Sequence, residues 1–120
     1  MKNLVKPSPK RGEVWLVRFY PQVGSEIDKV RPAVVISVDE IGALPLRIVV
    51  PVTAWKQHFA GCPWFVRLSP TKQNGLSKES TANAFQVKSV SEQRFVKRLG
   101  VLPEAVVDEI AAAIALCVGY

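Results

Sequence analysis

Apolar and polar positions alternate along residues 12–19 (GEVWLVRF), with Val14, Leu16 and Arg18 on one side and Trp15, Val17 and Phe19 on the other. Both sides carry large apolar residues, which predicts a strand packed over most of its length. Residues 20–30 (YPQVGSEIDKV) hold Pro21, Gly24 and a polar cluster and read as a long loop, a kind that in compact domains is usually functional or mobile. The β-branched run at 33–38 (AVVISV) predicts a second, buried strand. Residues 46–53 (LRIVVPVT) predict a third, in which Pro51 marks an edge, a bulge or the end of pairing on one side.

Further on, residues 64–68 (WFVRL) form a short strand, and 69–78 a turn whose Asn74-Gly75 is the strongest hairpin signal in the chain. Residues 80–90 read as one long or broken strand pair with Asn83, Gln86 and Lys88 facing outward, and Ser91 as the N-cap of a helical turn. The last element is a helix. Pro103 sits in its first turn, acidic residues gather toward its start, and Gly119 lies past its end. Val107, Ile110, Ile114 and Cys117 share one face of it, and the other face is mostly alanine. Strands first and a helix last predict a mainly β fold, a small β-barrel with a C-terminal helix.

Composition adds bounds rather than a function. With 48% hydrophobic and 22% charged residues, the 120-residue chain is that of one globular domain. Residues 1–10 (MKNLVKPSPK) read as a flexible lead-in to a domain at 11–120, and they lack the apolar stretch of a signal peptide. No apolar run is long enough for a membrane span. Cys62 and Cys117 have no metal-ligand spacing and read as reduced thiols of a cytoplasmic protein. Of the net charge of +6, the lead-in through Arg11 holds +4 and residues 99–120 hold −3, leaving +5 on the body between. A positive body suits phosphate-bearing or acidic partners.

Familiar catalytic signatures are missing: no phosphate-cradling glycine loop, nucleophile elbow, zinc spacing or paired-cysteine motif. A single histidine excludes a histidine pair as acid and base, and neither a metal nor a cofactor is expected. What remains is polar chemistry at strand ends. Arg31 precedes Pro32, which biases its backbone to an extended form at the mouth of the second strand. Thr53 closes the third. If those strands are antiparallel neighbours, the two residues meet. Each also has a bland reading, Arg31 as a solvated strand end and Thr53 as a turn cap. Trp55 and Trp64 are core or interface residues, or platforms for nucleic-acid bases.

The motifs RGEVWLV at 11–17, GSE at 24–26 and KVRPAVVIS at 29–37 look like the opening of the MazF/PemK toxins. VVPVT at 49–53, QVKSV at 86–90 and KRLG at 97–100 resemble the same family in order and spacing. The resemblance implies a compact SH3-like barrel, also similar to the CcdB toxins, and a dimeric, metal-independent endoribonuclease of a toxin–antitoxin pair. It implies attack by an RNA 2′-hydroxyl on the adjacent phosphorus of single-stranded RNA, with sequence selectivity. Arg31 and Thr53 fall on the family's catalytic positions, and Ser25 and Glu26 on a loop covering the RNA groove. Lys29, Gln86 and Lys88 join Ser25 and Glu26 as substrate-binding residues, with Glu26 and His58 as candidate acid/base groups. The partners implied are RNA, an acidic antitoxin, a second copy of the chain and, only through the antitoxin, operator DNA. Trp15, Trp64 and the alanine-rich helix face are the candidate dimer surface. Asn83 and Phe85 stand where some members carry an arginine and an aspartate, and Leu102 where relatives usually have a capping serine. The alternative is a non-enzymatic member of the fold, a gyrase inhibitor or a protein that binds RNA or antitoxin without cutting.

Overall fold

The computed structural model describes residues 8–19, 29–41 and 43–120. Among them lie strands β1 (Glu13–Phe19), β2 (Lys29–Val35), β3 (Leu46–Ala54), β4 (Phe65–Leu68), β5 (Ser80–Asn83), β6 (Lys88–Ser91) and β7 (Phe95–Val101), then helix α1 (Glu104–Cys117). All strand pairs are antiparallel, in the order β4-β5-β3-β2-β1-β7 with β6 beside β3. The fold is mainly β with a C-terminal helix, as expected, but the expected barrel is not closed. Among the described residues β4 pairs only with β5 and β7 only with β1, so the sheet keeps two ends.

β3 is the hub of the sheet. On one side it pairs with β6 as far as Val49↔Lys88, then with β5 from Val52↔Ala82 onward. Pro51 falls at this handover, so its missing N–H interrupts neither ladder. This is the end of pairing its position predicts. β2 departs from the expected 33–38. It starts at Lys29, because its ladder with β1 runs from Phe19↔Lys29 through Val17↔Arg31 to Val14↔Val34. Arg31 therefore sits within a paired strand rather than at its mouth, and Ile36 continues only by donating its N–H to the Ile48 carbonyl at 2.8 Å.

Alternation along β1 separates two apolar clusters. Val14 joins Val34, Val50, Val52 and Leu102 beneath Val107, Ile110 and Ala113 of α1. Trp15, Val17 and Phe19 join Ala33, Val35, Val49, Val90 and Phe95 in the other cluster. Trp15 is 8% exposed and meets Phe95 edge-on at 5.5 Å, so this protein's own core already buries it. That corrects its assignment to a dimer surface; Trp64 stays half-buried at the margin of the first cluster.

Other expectations change locally. Asn74-Gly75 is not a two-residue turn but the clamp of a long loop between β4 and β5. The buried Asn74 Oδ1 accepts the N–H groups of Thr71 and Leu76, while Nδ2 donates to the Ser69 carbonyl. The loop then crosses β7, where Val101 N–H donates to the Gln73 carbonyl at 2.7 Å. A Cβ on Gly100 would lie 2.1 Å from that carbonyl oxygen, so only glycine permits the approach. Ser91 does cap a turn, accepting the Gln93 N–H, but that turn covers only Glu92–Arg94 before β7 begins. Pro103 is the N-cap of α1 and no side chain caps it; Leu102 is buried in the first cluster, so its place is a packing position rather than a cap. Ala113 is buried as well, so the alanine side of α1 is partly core. Of the expected lead-in, residues 1–7 lie outside the described residues. Pro9, by contrast, is buried and its carbonyl accepts from the buried Arg47, which ties it into the fold.

Candidate functional site

Residues directly opposite in an antiparallel ladder share a face. Arg31 lies opposite Val17, Lys29 opposite Phe19, and Lys88 opposite Val49. Those three apolar partners all belong to the second cluster, so the three cations rim its face. α1 packs on the other cluster and contributes no residue to this one, whose own members bury one another. Period-two alternation from Val49 through Pro51 brings Thr53 to the same face. Lys88 Nζ stands 5.0 Å from the centre of the Phe19 ring, which fixes a mobile cation over the apolar floor.

The β2–β3 ladder runs Val35↔Val49, Val34↔Val50 and Ala33↔Pro51. Carried two residues further, the same register sets Arg31 against Thr53, the juxtaposition expected of antiparallel neighbours. Both are half-buried, whereas Lys29, Gln86 and Lys88 are exposed. Gln86 ends the 3-10 turn Ala84–Gln86 that leads into β6. Ser25 and Glu26 lie outside the described residues. His58 is exposed on the turn Gln57–Phe59 between β3 and β4, its ring 4.6 Å from that of Phe59. It belongs to an aromatic group on that connection, not to the Arg31 strand.

At the edge of the second cluster, Arg94 donates to the Arg18 carbonyl at 3.1 Å. Its guanidinium is held below the usual arginine range by burial and by the Arg18 charge. The pair adds positive potential beside β1. Sequence reasoning missed it, since Arg94 comes beside Arg18 only through the β1–β7 pairing. Glu13 is a carboxylate at the opposite end of β1. Burial alone would raise its pKa, but hydrogen bonds from the Lys10 N–H, the Trp15 indole and Arg98, with the Arg98 charge, hold it below the ordinary value of 4.5. It is thus neutralised locally and does not cancel the cationic rim.

A row of rings runs along the β3–β4 connection. Phe59 stacks on Phe65 at 4.1 Å, Trp55 meets Phe59 at 6.0 Å, and Trp64 lies 6.1 Å from both Phe65 and Phe85. Arg67 stands 4.5 Å over the Trp55 ring and pairs with Glu79 at 3.1 Å. Among the described residues, no group of three His, Cys, Asp or Glu side chains could hold a metal ion. Cys62 and Cys117 are free thiols, and among the described residues no helix is long and apolar enough to cross a membrane.

Comparison with known proteins matches this architecture. The family of PemK-like, MazF-like toxins of type II toxin–antitoxin systems matches residues 10–118. Endoribonuclease MazF9 of Mycobacterium tuberculosis is 35% identical over 114 residues, covering 89% of this chain and 93% of its own. A crystal structure of MazF from Deinococcus radiodurans superposes with a TM-score of 0.76 at 27% identity, covering 95% of this chain and 99% of that one. A MazE–MazF structure from the same organism gives a TM-score of 0.75 at 26% identity, covering 94% and 97%.

Proposed function

The chain belongs to the PemK-like, MazF-like toxins of type II toxin–antitoxin systems and is an endoribonuclease, and from that membership we propose a metal-independent, sequence-selective cleavage of single-stranded RNA centred on Arg31 and Thr53. The 2′-hydroxyl of one nucleotide attacks the adjacent phosphorus and the bond to the next nucleotide's 5′ oxygen breaks. A cyclic 2′,3′-phosphate and a 5′-hydroxyl result. The attacking hydroxyl loses a proton and the leaving oxygen gains one; Glu26 and His58 are this chain's candidates for carrying them. Arg31 stabilises the charge that builds on the phosphorane, since its planar fork spans two phosphate oxygens. A guanidinium does not serve as a base near neutrality. Thr53 holds a phosphate oxygen or the attacking hydroxyl, while Ser25, Lys29, Gln86 and Lys88 bind the flanking backbone.

The observation that supports this reading is the β2–β3 register, which, extended two residues past its last pair Ala33↔Pro51, would set Arg31 against Thr53 on the face rimmed by Lys29 and Lys88. The same reading has two chains set their rims along one groove as a homodimer, with exposed Leu116 and Val118 at the end of α1 among the surface to be covered. The MazF of Deinococcus radiodurans is seen with a MazE. For this chain we infer an acidic antitoxin laid across the cationic face in the cytoplasm, with operator DNA reached only through it.

The test is cleavage of single-stranded RNA by purified protein in EDTA. Arg31→Ala should lower the rate about a hundred- to a thousandfold, and Arg31→Lys should recover little of it. Thr53→Ala should cost more than Thr53→Ser, which keeps the hydroxyl. DNA and RNA blocked by a 2′-O-methyl at the scissile position should survive. Unchanged cutting by Arg31→Ala would remove the centre of the reading, and cutting of the blocked RNA would make water the nucleophile.

A further inference from the structure

Five of the chain's ten Phe, Trp and Tyr residues lie outside both apolar clusters or at their margin, in the single row of Trp55, Phe59, Phe65, Trp64 and Phe85. We propose that this row is a stacking platform for an unpaired RNA base flanking the cleaved bond, with Phe85 as its open ring. The proposal rests on the reading of the chain as an RNA-cutting enzyme centred on Arg31.

Phe85 is 65% exposed, yet it is not a loose loop tip. The Asn83 side chain accepts its N–H at 3.2 Å, Ala84 beside it is fully buried, and Ala84 N–H donates to the Trp64 carbonyl at 2.9 Å. The turn therefore presents the ring to solvent in a fixed direction, and burial gains nothing from it. Trp64 meets the ring in a T-shaped contact at 88°, and most of the Phe85 surface remains exposed. A base stacks on such a ring whatever its identity.

Position and charge favour RNA over another apolar partner. Phe85 directly precedes Gln86 and stands three residues before Lys88, while Trp55 follows Thr53 by two. The row thus borders the proposed centre at two points of the chain. Cations attend it: Arg67 over Trp55, exposed Lys56 before the turn, and exposed Lys88 beyond Phe85. Alternating rings and cations fit a strand whose bases stack and whose phosphates are paired.

The test measures equilibrium binding of a 2′-O-methylated, uncleavable single-stranded RNA to wild type, Phe85→Ala, Phe85→Leu and Phe85→Tyr. A parallel series of oligonucleotides carries one abasic site at successive positions around the blocked bond. Phe85→Ala should weaken binding about 5- to 100-fold. Phe85→Tyr should restore it and Phe85→Leu should not. At one position, loss of the base should make wild type and Phe85→Ala equal. Wild-type affinity in Phe85→Ala or Phe85→Leu would overturn the platform. So would conversion of Phe85→Ala from dimer to monomer in sedimentation, which would make the row a subunit contact. Failure of the wild type to bind any oligonucleotide would overturn both this proposal and the nuclease reading. Binding that depends on Phe85 while Arg31→Ala still cuts would sink the Arg31 assignment and leave the platform standing.

Discussion

On the face that α1 covers, Val14, Val34 and Val50 pack directly beneath Val107 and Ile110. On the opposite face the same three strands contribute Val17, Val35 and Val49, equally buried, but among the described residues no residue of α1 joins them, and Lys29, Arg31 and Lys88 form a rim. The strands are shared and alternate by single residues, so the difference is not one of scaffold strength. It lies in what borders each layer. The face closed by α1 converts burial into stability. The other face is as well buried and in addition holds cations at its margin, where a polyanion can reach them. Substitutions on the two faces should therefore separate stability from chemistry.

The largest effect expected is on the closed face. Ile110 is fully buried, and Ile110→Ala should cost about 2–5 kcal/mol of unfolding free energy in denaturant titration. The cleavage rate per folded molecule should stay at the wild-type value. An equal loss of turnover in the folded fraction would mean that α1 transmits to the rim and that the two faces are not independent.

Lys88→Ala should do the reverse. Its contact with the Phe19 ring is worth roughly 0.5–1 kcal/mol at most at an exposed site, so stability should barely move. RNA binding should weaken, and the slope of log affinity against log salt should fall by about one, as for loss of one phosphate contact. An unchanged salt slope would place Lys88 outside the RNA track. Antitoxin binding gives a companion test, because exposed charge pairs are screened over about 8–10 Å at physiological ionic strength. Equal affinity in high salt would remove the electrostatic part of that interaction.

The contrast between the faces was partly written in the sequence. Alternation along residues 13–19 separates Val14 from Trp15, Val17 and Phe19, and Pro51 announces a break in pairing that β3 shows. That β2 and β3 are antiparallel neighbours was legible from the strand order, and the observed register Ala33↔Pro51 is in keeping with an Arg31 set toward Thr53. Closure was not legible, because whether the end strands β4 and β7 meet depends on curl summed over the whole sheet. Asn74-Gly75 misled for a related reason: its side chain serves contacts with Ser69 and Thr71, which a dipeptide rule does not see. Ser91 signals a helical turn but not its length of three residues, because Lys97 and Arg98 hide the apolar alternation of β7 that follows. Phe85 showed no signal of exposure, since an aromatic residue between strands reads as core until the turn that presents it is known.

The smallest predicted effect tests whether Glu13 supports the Arg31 face through its charge. Glu13 Oε1 accepts the Trp15 indole N–H and the Lys10 N–H, each at 2.9 Å, and Oε2 accepts Arg98 Nε at 2.9 Å. Its side chain is 16% exposed, so these bonds are only partly screened by solvent. Because its native pKa is lowered, the folded state holds its proton less tightly than the unfolded state does. The stabilisation is therefore present above the unfolded value, near 4.5, and is lost as the pH falls through the native value below it. Glu79, lowered by the Ser69 hydroxyl and Arg67, follows the same direction from a more exposed position and serves as the control. Glu13→Gln keeps an acceptor for the indole but loses the charge, so it should cost about 1 kcal/mol at pH 7. The difference from wild type should shrink as the pH drops below 4.5, since the wild-type carboxylate is then protonated too. Denaturant titrations of both proteins at pH 7 and at acid pH measure this directly. A gap that stays constant with pH would show that Glu13 acts through packing of Trp15 against Phe95 rather than through its charge.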